Sequence, residues 1–237
     1  MRFLLFCHMK KLMLQPRLQL LANMIPPGSR LADVGTDHGY LPVYLLQNGR
    51  ITGAIASDIG AEPLQHARQT AAEYAVEGIE FRLCPGLDAI APEEVDAVVI
   101  AGMGGETIQS VLAAAPWTAQ GRHFLLLQPM TKVEFLRRWL TDNHYYFTDE
   151  RLVWDKEHLY PVFAVRGGTQ APLTAVQQYG GVLLDGDPLY DAYLEERIGK
   201  LERAVEGLRC SAAAENLERA AQLAEVLNAL REKRGKR

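Results

Sequence analysis

The 237-residue chain is short of cysteine, of excess positive charge and of long apolar runs, and each shortage removes a class of protein. Its three cysteines, Cys7, Cys84 and Cys210, are odd in number and widely spaced. They match neither a zinc-ligand pattern nor a disulfide framework, so a reducing cytoplasmic setting is expected, with no metal. Lys and Arg number 25 against 29 Asp and Glu, a net charge of -4. A chain that is cationic all over is thereby excluded, although a local basic face would still suffice to hold a nucleic acid. No apolar run reaches the length that crosses a bilayer, so no membrane role is expected. The opening Met1 to Cys7 has the look of a signal peptide, but its apolar run is too short and leads into Lys10-Lys11 without a small-residue cleavage site. Residues 1–12 are read as an extension outside the fold, with Met13 a natural beginning. The apolar content of 48% is ample for a core.

A further absence is more informative. The first strand-to-helix turn has no G-x-G-x-x-G. Leu31 to Val34 is a short apolar run carrying Asp33; it breaks at Gly35 and passes through Thr36-Asp37-His38-Gly39 into an amphipathic run from Pro42 to Gln47. This reads as strand, glycine turn and helix, the opening unit of a nucleotide-binding α/β domain. Asp37 stands where a dinucleotide fold would have its second glycine. Asp33 and Asp37 would meet a bound pyrophosphate with like charge, and no Lys or Arg lies in the turn to offset it. S-adenosylmethionine carries a sulfonium and an ammonium and no phosphate, so the acidic turn fits that cofactor better than NAD, FAD or ATP. The alternative is an ordinary turn with surface acids.

The remaining pattern is that of an α/β domain. Pro16 to Ile25 is expected to be helical, stopped by Pro26-Pro27-Gly28. Gly53 to Ser57 is a second strand ending at Asp58, about twenty residues past the turn, where such folds hold a ribose. The alternative for Asp58 is a cap on the helix Glu62 to Tyr74. Ile79 to Leu83 and Ala97 to Ala101 are a third and a fourth strand, the latter wholly apolar as a central parallel strand should be. It runs into Gly102-Met-Gly-Gly105, more glycine than a turn needs, and a helix from Glu106 to Ala114. Phe124 to Leu127 is a fifth strand. The helix Val133 to Thr141 is expected to turn Phe135, Leu136, Trp139 and Leu140 inward and Arg137-Arg138 outward. Phe147 to Trp154 and Tyr160 to Val165 form an antiparallel pair. Gly167 to Pro172 is a linker.

Beyond it, Leu194, Ile198, Leu201, Val205 and Leu208 alternate steps of four and three, a coiled-coil seam. Leu217, Ala220, Ala224, Leu227 and Leu230 form a second seam, which predicts an antiparallel helical hairpin. The basic tail Arg231 to Arg237 is either a solubilising end or an RNA contact. The fold class expected is α/β over residues 13–166, with a C-terminal α-helical coiled-coil hairpin over 167–237.

Asp33-Val-Gly-Thr-Asp-His-Gly-Tyr-Leu-Pro42, Ala101-Gly-Met-Gly-Gly105 and Leu127-Gln-Pro129, in that order and ahead of a helical pair, resemble the bacterial tRNA (adenine(22)-N(1))-methyltransferase family. The resemblance runs from about Met13 to the end. It implies that the sheet is a Rossmann-like seven-stranded methyltransferase sheet. It also implies S-adenosylmethionine as cofactor, tRNA as partner, and methylation of N1 of a D-loop adenine, with the coiled coil helping to hold the tRNA. The cofactor would be bound by Asp33, Gly35, Thr36, Asp58, Ile59, Gly86, Ala101, Gly102, Met103 and Gly104. Where the family has Gly-Asp-Gly-Leu after the third strand, this chain has Cys84-Pro-Gly-Leu87, so Pro85 replaces an acid beside the cofactor's adenine; Asp88 or backbone groups are the candidates to take over.

Adenine N1 already has a free lone pair, so catalysis would be chiefly positioning and desolvation, with a carboxylate to meet the cationic product. Asp37 is the candidate for that carboxylate, with His38 and Tyr40 as its catalytic neighbours. Arg17, Lys132, Arg137, Arg138 and the tail are candidate phosphate contacts. The rival functions are a small-molecule methyltransferase and a non-catalytic cofactor- or RNA-binding scaffold. A dehydrogenase is disfavoured by the acidic turn, and an N6-adenine methyltransferase by the absence of an Asn/Asp-Pro-Pro-Tyr run. A monomer or weak homodimer is expected.

Overall fold

The computed structural model describes residues 10–211 and 213–236. Seven strands form one sheet: β1 (Arg30–Val34), β2 (Gly53–Asp58), β3 (Ile79–Leu83), β4 (Ala97–Gly104), β5 (Phe124–Thr131), β6 (Tyr145–Asp155) and β7 (His158–Gly167). The order is β3-β2-β1-β4-β5-β7-β6, with the first five strands parallel and β7 antiparallel to both of its neighbours. Parallel strands covered on both faces must be apolar throughout, and β4 shows why. Val98 and Ile100 join one core with Ile108, Leu112, Leu136 and Leu140, while Ala97 and Val99 join another with Leu21, Leu41 and Leu45. The first core lies under α4 (Gly105–Ala114) and α5 (Val133–Asp142); the second lies under α1 (Pro16–Met24) and α2 (Tyr40–Gln47). Helix α3 (Ala61–Glu73) packs beside α2 through Val43 and Ala71.

Strands β4 and β5 run on past their expected ends, to Gly104 and Thr131, with register shifts around Met103. The glycines are therefore an irregular strand end leading straight into α4, not a free loop. Most of the expected extension 1–12 lies outside the described residues. Its last residue, Leu12, is buried against Val43 and Ala71, and its N–H donates to Gln47 Oε1 (3.0 Å).

The helical end of the chain comprises α6 (Ala175–Gly180), α7 (Tyr190–Arg209) and α8 (Ala214–Gly235). Helices α7 and α8 pack along each other, and the first seam is buried at Leu194, Ile198, Leu201 and Val205. The second seam is buried at Ala220, Leu227 and Leu230, but Leu217 is exposed. The hairpin shares a core with the strand pair: Leu152 and Leu159 lie among Tyr190, Tyr193, Leu194 and Ile198. The described basic residues of the tail are paired within the arm, Arg231 with Glu202, Lys233 with Asp185, Arg234 with Glu195 and Lys236 with Glu232.

Helix α5 departs from its expected facing. Val133, Leu136, Arg137 and Leu140 are buried, and Phe135 is 43% exposed. The inward stripe follows the i, i+3, i+4, i+7 spacing from Val133, which places residue 137 inside and 135 outside. Arg137 is tolerated there because each of its three nitrogens donates a hydrogen bond. Nε and Nη2 donate to Glu150 Oε1 (2.9 and 2.7 Å), Nη1 to the Gln178 carbonyl (2.9 Å) and Nη2 also to Tyr193 Oη (3.1 Å). Glu150 Oε2 accepts the N–H groups of Val182 and Leu183 (2.6 and 2.9 Å). Burial opposes the guanidinium charge, but Glu150 and Tyr193 outweigh it and the Arg137 pKa is raised. Arg137 is therefore a structural joint between α5, β6 and the arm, and not a phosphate contact.

Removing one partner of a buried pair leaves the other charge uncompensated. Arg137→Ala is expected to cost about 3–5 kcal/mol. The paired change Arg137→Met with Glu150→Leu should recover most of that loss; chemical denaturation of the two variants checks this, and equal losses would contradict it.

Candidate functional site

The candidate site lies at the carboxyl ends of β1 and β4. Val34 pairs with Ser57 on one side and Ile100 on the other, so the chain leaves the sheet between two strands. Gly35 (φ 70°) makes the exit, and the N–H groups of Gly35 and Thr36 both donate to the Ser57 carbonyl (2.8 and 3.1 Å). A Cβ at Gly35 would sit 2.1 Å from the Met103 methyl, a clash that this flexible side chain can relieve; the positive φ is what favours glycine there. Asp37 also takes a positive φ (51°) and is exposed.

Asp33 is buried at the tip of β1, where its Oδ2 accepts the Thr36 hydroxyl (2.6 Å). Burial pushes its pKa up to about 6; the Thr36 hydrogen bond works against the rise and the Asp58 charge adds to it. Opposite, the Gly102 N–H donates to Gln128 Oε1 (3.1 Å). The same oxygen accepts Arg17 Nη1 (2.8 Å), and Arg17 Nε donates to Asp155 Oδ2 (3.1 Å). Arg17 is thus clamped against the wall of the site and is not a free surface charge.

Arg17, Leu18, Asp33, Gly35, Thr36, Asp37, Tyr40, Leu41, Ala101 and Gly102 line one cavity of about 220 Å³. Met103 is not among its lining residues, although its methyl lies against Gly35. His38 stands just outside, its ring stacked between Tyr40 (centroids 5.2 Å apart) and His66 (5.1 Å). Asp58, Ile59, Gly86 and Gly104 do not line the cavity. Asp58 Oδ1 accepts the Gly60 N–H (2.8 Å), and the residue capping α3 is Gly60. Ile59 is 77% exposed beside it. Gly86 (φ 53°) packs on Val111, and its carbonyl accepts the Ser57 hydroxyl (3.1 Å). Pro85 and Asp88 are exposed at that turn. Arg17, Gln128 and Asp155 as one clamp had no sequence signal, because 111 and 138 positions separate Arg17 from its partners.

A family model described as a methyltransferase domain matches residues 14–163. The tRNA (adenine(22)-N(1))-methyltransferase of Bacillus subtilis (strain 168) is 34% identical over 187 residues, covering 78% of this chain and 76% of that protein. The chain belongs to this methyltransferase family. Among solved structures, the B. subtilis M1A22 tRNA methyltransferase TrmK superposes with a TM-score of 0.84 at 28% identity, over 94% of this chain and 99% of that one. Streptococcus pneumoniae Sp1610 in complex with S-adenosyl-L-methionine superposes with a TM-score of 0.79 at 30% identity, over 91% and 97%. The seven-stranded order and the helical arm are thus features of the family and not of this chain alone.

The Asp33 carboxyl should titrate near 6 in the free protein, and Thr36→Val should move it higher by removing the one hydrogen bond that favours the ionised form. Carbon NMR of the side-chain carboxyl reads both values; a Thr36→Val shift toward lower pKa would contradict the assignment.

Proposed function

We propose that this protein transfers the methyl group of S-adenosylmethionine to N1 of the adenine at position 22 of tRNA, in the cytoplasm, as a monomer or weak homodimer. The observation that carries the cofactor reading is the buried Asp33, which shares one cavity with Asp37 and with bare glycine backbone. A pyrophosphate would meet two carboxylates there; a cation with an amino-acid end suits them. Asp33 and the Gly35–Thr36 turn are read as facing the cofactor's ammonium, and Arg17 its carboxylate. Asp58 is read as holding the ribose, with Ile59 and Gly86 beside the adenine and Ala101 to Gly104 bordering the transferred group. S-adenosylmethionine supplies a methyl on a sulfonium leaving group, ready for direct displacement.

This chain's residues then position, exclude water and balance charge. The adenine N1 lone pair needs no base, so alignment is the main requirement. The Tyr40 ring, half exposed on the cavity rim and backed by His38, is placed to stack on the incoming base. The Asp37 carboxylate is placed to offset the positive charge that grows on the ring. N1 lies on the pairing edge, so the adenine must leave its stack to reach the cavity. An RNA backbone is read as following the groove between the end of β5 and the arm, a cavity of about 360 Å³ that carries Lys132, Lys200 and Arg219. Its phosphate contacts would make affinity fall with salt. Arg138, exposed and paired with Asp142, remains a rim candidate.

Labelled S-adenosylmethionine and unmodified tRNA should yield label on N1 of adenine 22. Cofactor binding without labelled RNA would replace this reading with a small-molecule methyltransferase or a scaffold.

Asp37→Ala should lower kcat far more than it weakens cofactor binding, and Asp58→Ala should do the reverse. Single-turnover kinetics alongside calorimetry separates the two, and matching losses in both quantities for Asp37→Ala would reduce it to a cofactor ligand.

A further inference from the structure

His66, in the second turn of α3, has no part in the reading above. Folding carries it to the β1–α2 turn, because Gly39 of that turn lies directly on α3. A Cβ at Gly39 would come within 2.9 Å of the Ala67 Cβ. This contact lays the His66 ring along the His38 ring, 12° from parallel. Asp37 completes the group, its Oδ1 3.7 Å from His38 Nε2. One ligand atom from each of Asp37, His38 and His66 lies within 4.8 Å of the other two.

We propose that Asp37, His38 and His66 form a binding site for a borderline divalent transition-metal ion of the zinc or nickel class, and that its occupancy shuts down methyl transfer. The donor set decides the class. Two imidazoles and one carboxylate suit zinc and its neighbours, whereas magnesium and calcium demand oxygen ligands. Three protein ligands leave a fourth position for water, as in open zinc sites. Asp37 is exposed and the two histidines are half-buried, so side-chain rotation can close the group onto an ion without moving the backbone. Metal–ligand bonds of about 2.0–2.2 Å require that closure, since the stacked rings do not yet aim their nitrogens at one point.

Only the inhibitory half rests on the proposed function. Closing the site takes the Asp37 carboxylate out of use and turns His38 away from Tyr40. It also sets a dication beside a base that must become cationic, where like charge opposes the product.

The full chain is titrated with zinc by calorimetry and with cobalt(II) by visible absorption, with magnesium as control. One zinc ion per chain should bind with micromolar affinity, and magnesium should not bind. His66→Ala should keep its methyl transfer without zinc. It should lose at least the roughly 10–100-fold in affinity that even an outer partner of a metal site supplies. The zinc concentration that inhibits should rise by the same factor. No binding, or equal affinity in His66→Ala, would overturn the site. Binding lost in His66→Ala while zinc leaves wild-type methylation untouched would overturn the inhibition. His66-dependent binding in a protein that methylates no tRNA would uphold the site and sink only the functional reading.

Discussion

A carboxyl group shut inside the tip of the central strand, with a single hydroxyl for a partner, sets the terms for the whole site. Asp33 sits where five parallel strands deliver their chain ends, and burial there disfavours its charge. A protein that only needed a stable turn would have no use for such a group. The geometry around it fits the proposed role of Asp33 in facing a cationic group. The turn is held by backbone bonds to Ser57, and its Thr36 hydroxyl is given to Asp33. The Met103 methyl lies against its glycine, and the far wall carries Ala101 and Gly102 of β4. Arg17, a cation on the wall, is fixed by Gln128 and Asp155 at a distance from the turn's own sequence.

A second polar centre, Arg137 with Glu150, is buried more completely and solves the opposite problem. Every nitrogen of the guanidinium donates a hydrogen bond, and the carboxylate is shared between it and two backbone N–H groups at the start of the arm. Replacing such a pair by apolar groups often costs little stability, so its value here is directional. It fixes where the arm leaves the sheet, as hydrophobic packing of Tyr190 and Tyr193 alone would not.

Strand and helix patterning was legible because burial on both faces writes itself into continuous apolar runs. The third strand, Ile79–Leu83, has the predicted ends, and the acidic glycine turn is where its residues implied. Short-range pattern reading stops at groups completed by distant parts of the chain. Arg137 looks like half of an exposed basic pair until Glu150, thirteen residues on, and Tyr193, fifty-six residues on, are folded against it. Phe135 looks inward for want of any sign of which stripe of α5 faces the sheet. Leu217 continues the heptad spacing yet is 47% exposed. The tail reads as free positive charge, but the acids that pair with it belong to α7, to the loop before it and to α8 itself. In the site, Asp33, Gly35, Thr36, Asp37 and Tyr40 were legible because they are consecutive or nearly so, while Arg17 and His66 arrive from other helices.

The Arg137 joint also acts as the fulcrum of a lever. A helix of the length of α7 reaches about 30 Å, so roughly 5° of slack at its root would swing the far end by about 2.6 Å. For the proposed substrate, a folded RNA lying between the arm and the cavity, such a swing would misplace the base. Four hydrogen bonds on one guanidinium, deep in the hinge, tie the root of the arm to α5 and β6 and so resist that slack.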